Sequence, residues 1–163
     1  MDSLLLALTW VSALGAALIA GVFFAFSAFV MTALGHRPAP EGIAAMQEIN
    51  LVVVRSGFIA VFVATAVTSA ALAVAALLRW DDPRAMYWLA GALLYVLGTF
   101  VLTIVCNVPL NDELTAVDSA SAAGAAVWSR YLADWTWWNS VRTGASLAAT
   151  AAFILALRSL PAA

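Results

Sequence analysis

The residues of this chain that could do chemistry crowd towards two of its connecting segments. They are His36, Glu48, Asn50, Arg55, Asn107, Asn111, Asp112, Asp134, Asn139 and Arg142. Arginines can hold an anion, and asparagine amides can orient a carbonyl by donating or accepting hydrogen bonds. Carboxylates and an imidazole can remove a proton. The spacing adds meaning. Tyr131, Trp135, Asn139 and Arg142 recur at i, i+4, i+8 and i+11, which is one face of a helix. Glu48 and Arg55 stand seven residues apart, also one helix face. An arginine turned towards lipid is costly, so Arg55 and Arg142 are expected to face inward. There each would want a carboxylate or several carbonyl oxygens, with Glu48, Asp112 and Asp134 as the candidates. An inward polar pocket just below the membrane surface is the economical reading.

A plainer reading competes with it, in which these groups lock a helical bundle by buried pairing. Against that stand Asn50, Asn107, Asn111 and Asn139, whose amides carry more hydrogen-bonding capacity than a bundle needs. Trp128, Trp137 and Trp138 fit an aromatic belt at the membrane interface, whereas Trp135 shares the polar stripe. Phe23, Phe24, Phe26 and Phe29 fit packing or lipid contact, with some rings left to line an apolar pocket. His36 is the only histidine and reads as a helix-end residue. Cys106 is the only cysteine and lies in an apolar run, so no disulfide within the chain and no cysteine-rich metal site can form. No metal is expected; a metal-dependent oxidase would have to draw its ligands from His36, Glu48 and Asp112. Phosphate-binding loops, nucleophile elbows and dinucleotide fingerprints are missing from the sequence.

The elements that must position these residues follow from composition. The chain has 163 residues, 65% hydrophobic and 10% charged. Soluble domains carry about 25% charged residues. Its charges cannot dress a water-facing surface, and a net charge of −2 with arginine as its only basic residue type offers nothing to nucleic acid. A membrane span needs about 20 mostly apolar residues. Four stretches qualify, at about 4–34, 51–78, 85–108 and 137–158. The third is expected to stop near Val108, because Pro109 cannot continue the ladder. Only 15 residues separate Arg142 from Arg158, so the fourth span must start near Trp137 and carry Arg142 inside it. The uncharged run at Ser3–Gly35 is far longer than the apolar region of a signal peptide and reads as a retained helix.

The expected architecture is therefore all-α, one integral membrane four-helix bundle over 1–163 in contact with membrane lipids. A short helix is expected in the first loop, after Pro38 and Pro40, with Glu41 in its first turn. The third loop, Pro109 to Thr136, should be long and partly helical, with Asp118 to Val127 a small-residue spacer. Small residues such as Gly15, Ala16, Ala20, Ala64, Ala71 and Ala75 let helices approach closely. They also leave a homo-oligomer open. The short second loop, with Arg79 and Arg84, places the termini in the cytoplasm of a bacterial inner membrane.

Four segments carry a family resemblance. They are Gly21-Val-Phe-Phe-Ala-Phe-Ser27, Ala45-Met-Gln-Glu-Ile-Asn50, Asn107-Val-Pro-Leu-Asn-Asp112 and the run from Trp128 to Thr143 that includes Trp138-Asn139 and Arg142-Thr143. In order and spacing they resemble the anthrone oxygenase family of small membrane proteins, over nearly the whole chain. At one position the chain departs from the pattern: Ser140 follows Trp138-Asn139 where the family often has His. The resemblance implies a four-helix membrane protein that oxidises a lipophilic aromatic anthrone with dioxygen, as a monooxygenase without an organic cofactor.

Joined to the residues above, it gives Arg142 and Arg55 the role of holding a developing oxyanion, with Asn107 and Asn139 orienting the carbonyl. Asp112, Glu48 or His36 would be the base. Asn50, Asn111, Tyr131, Trp135, Trp138 and Phe24 would complete the substrate pocket. A membrane protein that only binds a lipophilic small molecule, or assists a partner, would use the same pocket without a base.

Overall fold

The computed structural model describes residues 3–159, and among them there are helices and turns but no strand. Five helices follow one another: α1 Ser3–Gly35, α2 Ala39–Val53, α3 Gly57–Leu78, α4 Ala85–Thr115 and α5 Ala122–Arg158. All but α2 are long and apolar enough to cross a membrane. Backbone groups find no partner in lipid, so each span must satisfy its own ladder as a helix. The chain is an integral membrane protein with an up-and-down bundle. Helix α1 packs on α3 and α5, and α4 packs on the same two.

Lipid gives helices no hydrophobic reason to associate, so close packing and hydrogen bonds must hold them. Both are present. A methyl group at Gly91 would lie 2.6 Å from the ring of Phe153, itself fully buried, so α4 meets α5 only because Gly91 has no side chain. Hydrogen bonds also cross the bundle core. Ser12 Oγ donates to Thr68 Oγ1 at 2.8 Å, Trp88 Nε1 to Thr9 Oγ1 at 2.9 Å and Tyr95 Oη to the Phe62 carbonyl at 3.2 Å. Thr99 and Ser146 share a hydrogen bond of 2.8 Å.

At the terminal end, the Asp82 carboxylate accepts from Arg84 N at 2.9 Å and Arg84 Nε at 2.7 Å, and it also meets Nη2. The Arg84 guanidinium then lies over Trp88, 5.1 Å from the ring centroid. Arg84 holds the Asp82 carboxyl below its ordinary pKa and is itself raised by that carboxylate. A depressed carboxylate stabilises the fold above its unfolded pKa and loses that contribution as pH falls. Asp82→Asn keeps the acceptor for Arg84 N but loses the charge-assisted bonds to the guanidinium, and should therefore cost about 1 kcal/mol at pH 7. That gap in thermal midpoint, measured in detergent, should close as pH drops below about 4.

The other end differs from the expected layout in three places. The second span starts at Gly57, not near Leu51, because Leu51 belongs to α2 and the chain turns at Val54–Ser56. Ser56 then caps α3 by accepting from Phe58 N at 3.2 Å. The third helix does not stop at Val108 but runs on to Thr115. Pro109 sits in the first turn of a fresh α-helical segment, after two widened π-helical stretches at Val96–Val101 and Thr103–Asn107. In a first turn the missing N–H costs little, and the change of register upstream relieves the ring's clash with the preceding turn. The fourth helix starts at Ala122, not near Trp137, and its 37 residues extend about 55 Å. Most of the third loop is therefore helix, and only residues 116–121 turn.

These extensions form a cap. Ile43 and Met46 of α2, Leu114 of α4 and Trp128, Tyr131 and Trp135 of α5 bury one another together with Met31. Fully burying side chains of this kind stabilises by roughly 1.5–3 kcal/mol each where the alternative is water. The cap core is separate from the bundle core around Ile19, Leu72, Trp88, Tyr95 and Phe153. The polar residues gather where the two meet.

Candidate functional site

Arg142 is the centre of that junction. It stands twenty residues into α5, not five, and only 3% of its surface is exposed. No carboxylate pairs with it among the described residues. Its Nη1 donates to Thr103 Oγ1 at 3.0 Å and its Nη2 to Asn139 Oδ1 at 2.8 Å. The guanidinium lies 4.1 Å from the centroid of Phe23 and 5.4 Å from that of Trp135. Its Nε is buried without a partner. Neutral oxygens and ring faces soften the cost of burying this charge, but its balancing anion is missing.

The surrounding side chains fix it in place. Asn139 donates to the Phe23 carbonyl at 2.6 Å and to Ser27 Oγ at 2.7 Å, which turns its oxygen towards Arg142. Ser27 lies in a π-helical turn of α1, Phe26–Val30, and Thr103 begins the π-helical turn of α4. Such widened turns redirect side chains and recur at functional sites. Asn107, at the end of that α4 turn, donates to the Trp135 carbonyl at 3.2 Å, leaving its Oδ1 buried and unpartnered. Trp135 Nε1 and Asn50 Nδ2 are also buried without partners. Tyr131 donates to Asn111 Oδ1 at 2.8 Å.

Arg142, Thr103, Asn50, Asn111 and Trp135 line one cavity of about 140 Å³, whose other walls include Phe23, Phe26, Phe58 and Phe62. An enclosed apolar space of roughly this size holds a single aromatic ring. This cavity is only half enclosed. Through Val22, Phe26, Ile49, Val53 and Phe58 it shares its walls with a wider groove of about 420 Å³. The groove runs between α1 and the α2–α3 junction, and Glu48 and Ser56 are the only polar residues on it. Together the two spaces could seat a flat fused-ring molecule with one edge at Arg142.

The structure thus brings Arg142, Asn50, Asn111 and Trp135 to the cavity wall, with Asn107, Asn139 and Tyr131 bonded behind it and not lining it. It does not bring the rest. Arg55 is exposed in the turn before α3, outside any helix, so it shares neither the depth of Arg142 nor a helix face with Glu48. His36, Asp112 and Asp134 are exposed, and Glu48 reaches only the outer groove. None of the expected carboxylate partners reaches Arg142. The three side chains considered for a metal do not converge, and no group of three His, Cys, Asp or Glu among the described residues could hold one. Phe24 is 58% exposed on the outer side of α1, and Trp138 does not line the cavity. Ser140 donates to the Thr136 carbonyl and shares a hydrogen bond with Ser27 Oγ, outside the cavity.

Two contributors were not singled out from the sequence. Thr103 lies four residues before Asn107, the helical spacing that puts both on one face. Ser27 is the one hydroxyl in its phenylalanine run, four residues after Phe23. Both signals are present, but only the fold shows that they face Arg142 and Asn139.

A four-span membrane protein with a buried, unpaired cation at the edge of an aromatic-walled cavity is the class that fold and site define. The family model for anthrone oxygenase matches residues 50–152, and the chain belongs to that family. The match takes in the cavity residues from Asn50 to Arg142, while the Phe23 and Ser27 segment lies upstream of it. Comparison with curated proteins and with solved structures found no match.

Proposed function

We propose that this chain oxidises a lipophilic aromatic of the anthrone type with dioxygen, using no organic cofactor, and that Arg142 is the group that makes the reaction run. The observation that carries the reading is the buried guanidinium without a counter-anion, facing a cavity walled by aromatic rings. An anthrone has a methylene flanked by two rings and conjugated to a ketone. Loss of one methylene proton gives an enolate whose charge rests on oxygen. Arg142 would bind that oxyanion, and its fixed orientation means that little reorganisation is needed.

The enolate passes one electron to dioxygen, and the resulting radical pair combines to a carbon-bound peroxide. Protonation of the distal oxygen, loss of the remaining C–H proton and O–O cleavage release water and form the second carbonyl. The sum is anthrone plus O₂ giving anthraquinone plus H₂O. Phe23, Phe26, Phe58 and Phe62 would hold the rings and keep bulk water from the radical pair. No carboxylate or imidazole lines the cavity, so the first proton passes to water at its mouth or to Glu48 on the groove. We place the protein in a bacterial inner membrane with its termini in the cytoplasm. The apolar groove would then admit substrate from the lipid phase.

The same lack of an inner base favours a second reading, in which the chain binds a lipophilic anion that is already ionised and does no chemistry. One assay separates the two. Purified, chelator-treated protein in lipid nanodiscs is expected to consume one O₂ per anthrone and yield anthraquinone well above the rate of empty nanodiscs. Binding without any rate above that background would leave only the binder. Activity that vanishes with the chelator and returns with a transition metal would indicate a metal-dependent oxidase instead.

A further inference from the structure

The cavity has a second polar pole, and nothing in the chemistry at Arg142 uses it. Asn50 comes from α2 and Asn111 from α4, and both line the cavity. Asn111 lies eight residues beyond Thr103 on the same helix, about 12 Å of axial rise and somewhat less through the π-helical turn. This pole therefore sits towards the cap, about two helical turns from Thr103, which accepts from the guanidinium. Its wiring leaves hydrogen-bonding capacity over. Tyr131 donates to the oxygen of Asn111 and also stands beside the Asn50 side chain, but Asn50 Nδ2 is buried and makes no hydrogen bond of full geometry. A buried amide group left unmet is expensive, and burial of it in an otherwise apolar wall needs a reason. Water can serve while the cavity is empty. A ligand that displaces that water must offer an oxygen of its own or lose affinity.

We propose that Asn50 is a specificity-determining residue, reading a second oxygen at the end of the aromatic substrate remote from Arg142. The ligand class is a fused aromatic with an ionisable oxygen at one edge and a phenolic hydroxyl or carbonyl at the other. The amide suits either, since it can donate to a carbonyl or accept from a hydroxyl. The bare ring system would bind through Arg142 alone, leaving Asn50 unmet. Discrimination then comes from the unpaired polar group on the protein, the arrangement that separates hydroxylated from unsubstituted ligands most sharply. Asn50 makes no hydrogen bond to Arg142, so removing its amide should act on the contrast between the two kinds of ligand and not on the hold at Arg142.

This inference rests on the cavity being the ligand site, and its test does not require turnover. Binding of anthrone and of 2-hydroxyanthrone, kept free of dioxygen so that neither is oxidised, would be measured in nanodiscs by quenching of tryptophan fluorescence. The kcat/KM values for the same two anthrones would be measured alongside. Wild-type protein should favour the hydroxylated member of the pair by about 10-fold or more. Asn50→Leu, similar in volume, should bring that ratio to within about twofold, chiefly because the unsubstituted ligand no longer strands a buried amide and binds more tightly. Asn50→Gln should keep part of the preference. A preference that survives Asn50→Leu overturns the proposal, as does an equal loss for both ligands or wild-type protein that binds both alike or neither. A binding ratio that collapses in Asn50→Leu without any turnover in wild type would support Asn50 and remove the oxygenase.

Discussion

Arg142→Met is expected to lower anthrone-dependent oxygen uptake roughly 100-fold or more while leaving the bundle about as stable as before. Removing one preorganised donor to a developing oxyanion typically costs 10²–10³ in rate, roughly 3–4 kcal/mol. Arg142 supplies the only charge on the cavity wall, so the loss should sit at or above the lower end of that range. Stability should respond differently. Breaking a buried ion pair strands a charge and costs several kcal/mol, but Arg142 has no carboxylate to strand. Methionine keeps much of the volume and the contact with Phe23 and Trp135, and it removes a cation from an apolar setting. The opposing loss is two hydrogen bonds, to Thr103 and Asn139, worth about 1 kcal/mol each. The terms nearly cancel. Oxygen uptake and thermal midpoint measured on the same preparation would check both halves. Arg142→Lys, which keeps charge but not the planar fork, should fall between the two. A variant with full activity would remove Arg142 from the chemistry. One that unfolds would restore the reading in which the polar residues only lock the bundle.

The split between activity and stability was not legible in the sequence, although Arg142 itself was. The length of the fourth apolar stretch forced Arg142 into the membrane, and a four-residue period tied it to Asn139, Trp135 and Tyr131. The shared face depends only on helical geometry and survives in the structure, where all four side chains are buried. Arg55 obeyed the same arithmetic and failed. Its placement assumed that the second span began near Leu51, and a turn capped by Ser56 put it outside the helix instead. A cap of one serine is a weak signal inside an apolar run, because Ser also occurs within membrane helices. The carboxylates misled for another reason. A buried arginine was assumed to need one, but two neutral oxygens and two ring faces serve here. That solution requires Phe23 of α1 and Thr103 of α4 to meet α5 at one depth, which is a property of helix order and of π-helical turns. Neither has a periodic signature in the sequence. Pro109 marked a change in the helix correctly, but a change of register and an end look alike from one residue.

Thr103 offers a way to remove the charge without removing the arginine, and the expected result is a large loss of activity from a stable protein. Its hydroxyl accepts from Arg142 Nη1 at 3.0 Å and donates to the Thr99 carbonyl at 2.7 Å. Thr103→Val has the same shape and deletes both bonds, at a cost of about 1 kcal/mol each. The guanidinium keeps its charge, its bond to Asn139 and its ring contacts, so uptake should stay within about fivefold of wild type. Thr103→Asp places a carboxylate where that hydroxyl was. In a site of low dielectric the new pair is strong, and the substrate's oxyanion would have to compete with a tethered anion and meet its repulsion. Oxygen uptake should drop by about 100-fold, close to the loss in Arg142→Met, and binding of anionic ring compounds should weaken with it. The thermal midpoint should hold or rise, because the buried charge gains its missing partner. Thr103→Asn, polar and neutral, controls for size and should follow the valine variant. If valine and aspartate lower activity equally, Thr103 matters for packing and the charge of Arg142 is not what the reaction needs. If only aspartate does so, the unpaired cation is the functional feature, and the missing carboxylate is part of how the site works.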